Sequence, residues 1–169
     1  MKFPKIVATK PPKVLSSNAV VLGKVAAVIM ALFATIQLIG IMKVVDGLSQ
    51  QLSGNMGWVA AIAIIILIAE ILSIPFLLRA KLSEGARFVG GILAVLAPWI
   101  WLLISIWSIS LEASAPQLGV FATANVGHWL IIVNVIWLAF NFYVVRQLGL
   151  EKTWRVLRGS PDKLKKSAK

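Results

Sequence analysis

The sequence predicts an all-α integral membrane protein, a four-helix bundle with both termini in the cytoplasm and a short interfacial helix near its C-terminus. Three observations carry this. Of 169 residues, 59% are apolar and only 14% charged, against about 25% charged in an ordinary soluble domain. That is more apolar surface than a water-facing fold of this size can hide. The apolar residues gather into four runs of the length that crosses a bilayer as helix, roughly 20 residues. Every Lys and Arg but Lys43 falls at the same ends of those runs.

Residues 1–18 form a basic arm. Its Lys10-Pro11-Pro12-Lys13 favours extended, polyproline-like chain. It reads as a solvated tail hugging the membrane, or as a docking strand for a partner subunit. Ser16, Ser17 and Asn18 offer N-caps for the first span, which runs from about Val20 to Val45. It exceeds the ~7–15 apolar residues of a signal peptide and has no small-x-small cleavage site after it, so it is expected to remain as a span.

The connection from Asp46 to Gly57 is short and nearly neutral, with loop-forming Gly, Ser, Gln and Asn. Lys43 and Asp46, i and i+3 at a helix end, are placed to pair. The second span, Trp58 to Leu78, has Glu70 as its single charge. A tight basic turn, Arg79 to Arg87, makes it a hairpin with the third span, Phe88 to Ser110. A second neutral connection, Leu111 to Asn125, contains Pro116 and Glu112. The fourth span runs from Val126 to Leu148. Lipid offers no hydrogen bonds to backbone, so each span must be helical.

Lys2, Lys5, Lys10, Lys13 and Lys24, then Arg79, Lys81 and Arg87, then Arg146 and the basic tail share one side. The positive-inside rule makes that side cytoplasmic, in a plasma or inner membrane. Trp58, Trp107 and Trp129 fall at the opposite ends, as an interfacial aromatic belt requires. The net charge of +11 then has anionic lipid headgroups as its counter-charge rather than nucleic acid. In residues 150–169, Leu150, Trp154 and Leu157 recur at helical spacing with Lys152, Arg155 and Arg158 between them. This is the pattern of a helix lying on a lipid surface. Gly159-Ser160-Pro161 ends it.

Glu70 is the most informative residue. It lies nine positions from Arg79, about 13 Å into the membrane at 1.5 Å per residue. Facing lipid there would cost at least ~2.5 kcal/mol, so it should face inward and be protonated or partnered. The fourth span offers Asn134 and Asn141, with Trp137 between them on nearly the same face. Asn141 lies close to Glu70's depth. Trp99 and Trp101 lie at similar depth, and being two residues apart only one of them can face the same cluster. Pro75 and Pro98 should bend their helices. Gln37 falls in the outer half as helix-joining glue or a weak site. Small-xxx-small pairs, Ala27/Ala31, Ala69/Ser73 and Gly90/Ala94, allow close helix approach.

Zero cysteines exclude disulfides and thiolate chemistry. The single histidine, His128, beside Trp129, has no second ligand at metal-site spacing and reads as an interfacial residue. No metal or other cofactor is predicted.

The stretch Ala69-Glu70-Ile71-Leu72-Ser73-Ile74-Pro75-Phe76-Leu77-Leu78-Arg79, followed by the Gly-rich start of the third span, resembles the second-span region of DoxX/MauE-type small tetraspan membrane proteins. The resemblance implies a four-helix bundle, with quinone-linked or thiol redox partners in some members. Only Glu70 carries over, and the lack of cysteine leaves thiol chemistry without residues.

Three functions stand as expectations. The first is a non-catalytic subunit or scaffold, with a membrane-protein partner or a second copy of itself. The second is a small proton-linked transporter using Glu70. The third is a redox protein holding a quinone beside Trp99, Trp101 or Trp137, since bundle interiors accommodate cofactors.

Overall fold

The computed structural model describes residues 8, 10–14, 16, 18–52, 56–110, 129–151 and 153. They form five helices and no strand element: α1 Ala19–Ile39, α2 Ile41–Leu52, α3 Met56–Leu77, α4 Glu84–Ser110 and α5 Trp129–Gln147. Four of them, α1, α3, α4 and α5, are long and apolar enough to cross a membrane. The expected interfacial helix with Lys152, Trp154, Arg155 and Arg158 lies outside the described residues, as do Glu112, Pro116 and His128. Helical conformation does resume at Leu150 and Glu151.

The first span differs from its expected extent. It ends at Ile39, where Gly40 takes φ −99° and ψ 22° and its N–H donates to Ile36 O at 3.0 Å. The helix resumes at once, Val44 N–H donating to Gly40 O at 3.0 Å. Glycine carries the highest conformational cost in a helix interior, which places the interruption there. Beyond it α2 is two-sided. Val44, Val45 and Leu48 are buried while Met42, Lys43 and Asp46 are exposed. Apolar residues at i, i+1 and i+4 make one helical stripe, and this one packs on Val59, Ala63 and Ile66 of α3 and on Trp101 and Ile104 of α4.

The ends of the helices depend on named residues. Ser83 caps α4, its Oγ accepting from Ala86 N–H at 3.2 Å and its carbonyl from Arg87 N–H at 2.9 Å. Glu84 in the first turn complements the helix dipole. This cap starts α4 four residues before the expected Phe88. Asn18 stands at the N-cap of α1 but its side chain makes no capping bond. At the end of α3, Arg79 takes a left-handed φ of 57°. Ala80 N–H donates to Pro75 O and Arg79 N–H to Phe76 O, both at 2.9 Å, the paired bonds of a Schellman termination. α5 ends likewise at Gly149, φ 87°, whose N–H reaches Arg146 O at 3.1 Å. Both prolines lie inside continuous helices.

The four long helices meet in a core of Ala26, Ala27 and Met30 (α1), Phe76 and Leu77 (α3), Ala94 (α4) and Val144 and Val145 (α5), with Leu148 just beyond. Small residues set the spacing. A Cβ at Gly23 would stand 2.6 Å from Leu77 O, and one at Gly90 2.9 Å from Phe76 Cβ. Residues 12 and 14 of the arm close this end. Arg79 Nη2 donates to Pro12 O at 2.8 Å, and Val14 packs against the core. Residues 10–14 thus lie against the chain's own α3–α4 turn.

Candidate functional site

Polar side chains inside an apolar helix cluster must find partners there, because leaving a buried donor or acceptor unpaired costs about 1–3 kcal/mol. Glu70 does so. On α3, in a helix apolar around almost its whole circumference, it is 2% exposed. Two donors from two other helices share its Oε1: Gln37 Nε2 of α1 at 3.1 Å and Trp101 Nε1 of α4 at 2.9 Å. Its Oε2 is buried and has no hydrogen-bond partner. Ser73, one turn on, turns its Oγ back to Glu70 O at 2.7 Å.

The polar contacts continue beyond Trp101. Ser105 Oγ donates to Trp101 O at 2.7 Å, and Asn134 Nδ2 of α5 donates to Ser105 Oγ at 2.7 Å. Gln37, Glu70, Trp101, Ser105 and Asn134 therefore form a thread through all four long helices. Each of the five is buried.

Gln37 lies farther along α1 than a simple count of depth pairs with Glu70. Helical Cβ atoms tilt toward their own N-terminus. α1 and α4 run one way and α3 the other, so the Gln37 and Trp101 side chains lean toward Glu70 while Glu70 leans toward them. Three long side chains span the offset between their backbones.

Of the expected partners, Trp101 meets Glu70. Trp99 points away, 47% exposed, into a groove between α4 and α5. The two-residue spacing makes this division necessary. Asn134 reaches the thread through Ser105 rather than touching Glu70. Asn141 is fully buried, but its Nδ2 donates to Trp137 O of its own helix at 2.9 Å and its Oδ1 has no partner. Trp137 packs against Phe33 of α1, centroids 6.1 Å apart and tilted, and stacks on Phe140 at 5.6 Å. It joins α1 to α5 by ring contact. Sequence reasoning missed Ser105, whose signal was its place four residues after Trp101, where a helical serine can bond the preceding turn's carbonyl.

Two open grooves flank α5. One, about 870 Å³, lies between α4 and α5; the other, about 430 Å³, lies between α1 and α5. Asn134 and Trp137 line the second, and Glu70 lines neither. Among the described residues no group of three or more His, Cys, Asp or Glu stands close enough to hold a metal ion. Chemically, the thread can join helices and can hold a proton at Glu70. Comparison with known protein families, with characterised proteins and with solved structures finds no match.

Proposed function

We propose that this chain is a non-catalytic subunit or scaffold of a membrane assembly: a four-helix bundle in a plasma or inner membrane, both termini cytoplasmic. The observation that carries this is the use made of the buried polar groups. Gln37, Glu70, Ser105 and Asn134 each bond a residue of another long helix, which is how interhelical polar groups fix packing in lipid. The charge asymmetry of the sequence supports the orientation. The test is extraction in native-lipid particles. A stoichiometric membrane partner, or a defined homo-oligomer, is the expected result; a lone monodisperse chain overturns it.

A second reading is favoured by one atom. Glu70 Oε2 is buried without a partner, and an intramembrane carboxyl is a functional candidate by default. In a small proton-linked transporter, Oε2 would take up and release the proton while Oε1 stays anchored by Gln37 and Trp101. Glu70→Gln would then abolish proton-coupled flux in proteoliposomes at unchanged expression; unchanged flux removes this reading. A quinone-linked role of DoxX-like type would require quinone to co-extract with the protein.

A further inference from the structure

The groove between α4 and α5 has the length of one lipid acyl chain and a guanidinium at one end. Its α4 wall runs from Phe88 to Trp99, eleven steps along the helix or about 16 Å at 1.5 Å per residue. One leaflet of hydrocarbon is about 15 Å, half of the roughly 30 Å core. Along that length the walls are apolar: Val95 and Leu96 on one side, Phe142 on the other. Gly91 keeps the floor low, since a Cβ there would stand 2.5 Å from Leu150 Cδ1 and 3.2 Å from Phe76 Cζ. The charged lining is confined to the far end of α5, with Arg146 in its last turn and Glu151 just past it.

Arg146 is exposed at the helix end where the sequence places nearly all the basic residues. A guanidinium there presents a planar fork of donors that matches phosphate oxygens. An acyl chain in the slot would match the apolar walls and a phosphate the Arg146 guanidinium, while Glu151 at the same end already has an interaction within the chain. A transmembrane helix of a partner would fill the apolar part but leave the arginine unmatched, and a neutral quinone would do the same.

We propose that the α4–α5 groove is a binding site for one anionic phospholipid of the cytoplasmic leaflet, its acyl chain along Val95, Leu96 and Trp99 and its phosphate on Arg146. The site is separate from the Glu70 thread and stands whether the chain is a subunit or a transporter.

The test uses the full chain, purified in detergent and supplied with equal amounts of dioleoyl-phosphatidylglycerol and dioleoyl-phosphatidylcholine, with bound lipid read by native mass spectrometry. The expected result is a one-to-one phosphatidylglycerol adduct that survives activation better than any phosphatidylcholine adduct. Arg146→Gln should weaken its retention about tenfold, equivalent to about 1.4 kcal/mol, while Arg146→Lys, which keeps the charge but loses the fork, should fall between the wild type and Arg146→Gln. Ile92→Trp, at a half-exposed groove position, should displace the acyl chain and lower retention of either lipid. Lys24→Gln, an exposed cation near the start of α1, controls for general charge and should change nothing. Both groove positions are exposed, so the variants should keep wild-type helicity by circular dichroism. Equal retention of the two lipids, an Arg146→Gln effect no larger than that of Lys24→Gln, or a protein crosslinked into the groove in native membranes each overturns the proposal.

Discussion

Replacing Glu70 by leucine takes away the acceptor on which the interior thread turns, and its cost can be set against that of the nearly isosteric glutamine. In the native chain Gln37 Nε2 and Trp101 Nε1 both end on Glu70 Oε1, at 3.1 and 2.9 Å. Leucine leaves both donors unpaired. In a water-soluble core two such losses would cost about 2–6 kcal/mol. In lipid the unfolded chain also finds partners, and interhelical bonds measure ~0.6 kcal/mol on average and at most ~1.7. The lipid values decide, giving about 1–3 kcal/mol for the pair. Glutamine can keep an oxygen where Oε1 sits and places its amide where Oε2 already lacks a partner, so Glu70→Gln should cost under about 1 kcal/mol. A double-mutant cycle of Glu70→Leu with Trp101→Phe should then return a coupling of about 0.6–1.7 kcal/mol. Reversible unfolding in bicelles, followed by circular dichroism, measures all of these. If leucine and glutamine are equally stable, or if the cycle returns no coupling, the thread does not hold the helices together.

Other perturbations probe the same packing at separate points. Gly23→Val should destabilise by about 1–3 kcal/mol through overpacking, because its Cβ would meet Leu77 O, a backbone atom, at 2.6 Å; the unfolding midpoint reports it. Ser105→Ala breaks the link to Asn134 and should cost about 0.6 kcal/mol, after which Asn134→Leu should cost less than it does alone. Arg79→Gly suits the left-handed φ of 57° but removes the bond to Pro12 O. Stability should change little, while limited proteolysis near residues 8–14 should accelerate.

How much was legible in the sequence varies with the kind of signal. The existence of four long apolar helices and the inward turn of Glu70 come from solvent physics, which acts on where apolar and charged residues fall. The division of labour between Trp99 and Trp101 comes from helical periodicity. Gly40 was harder to read, since its neighbours are as apolar as the span and only the two-sided pattern of Val44, Val45 and Leu48 marks a change of environment. The Ser83 cap was overlooked because hydropathy places Phe88 first, although a serine before Glu84 is the ordinary opening of a helix. Partner choice around Glu70 was least legible. Depth counted along Cα atoms favours Asn141, but side chains of antiparallel helices lean toward one another. That lean brings in Gln37, and Asn141 instead bonds within its own helix.

The inward orientation of Glu70 is open to one direct measurement. The chain has no cysteine, so single cysteines can be placed at positions 68 to 73, spin-labelled, and reconstituted in phosphatidylcholine–phosphatidylglycerol vesicles. Collision rates with oxygen, which concentrates in lipid, should peak at 68, 71 and 72, where Ile68, Ile71 and Leu72 are 46–52% exposed, and fall at 69, 70 and 73, where Ala69, Glu70 and Ser73 are at most 3% exposed. A maximum at positions 69, 70 and 73 would turn the Glu70 face of α3 toward acyl chains and contradict the thread from which the proposed role is drawn.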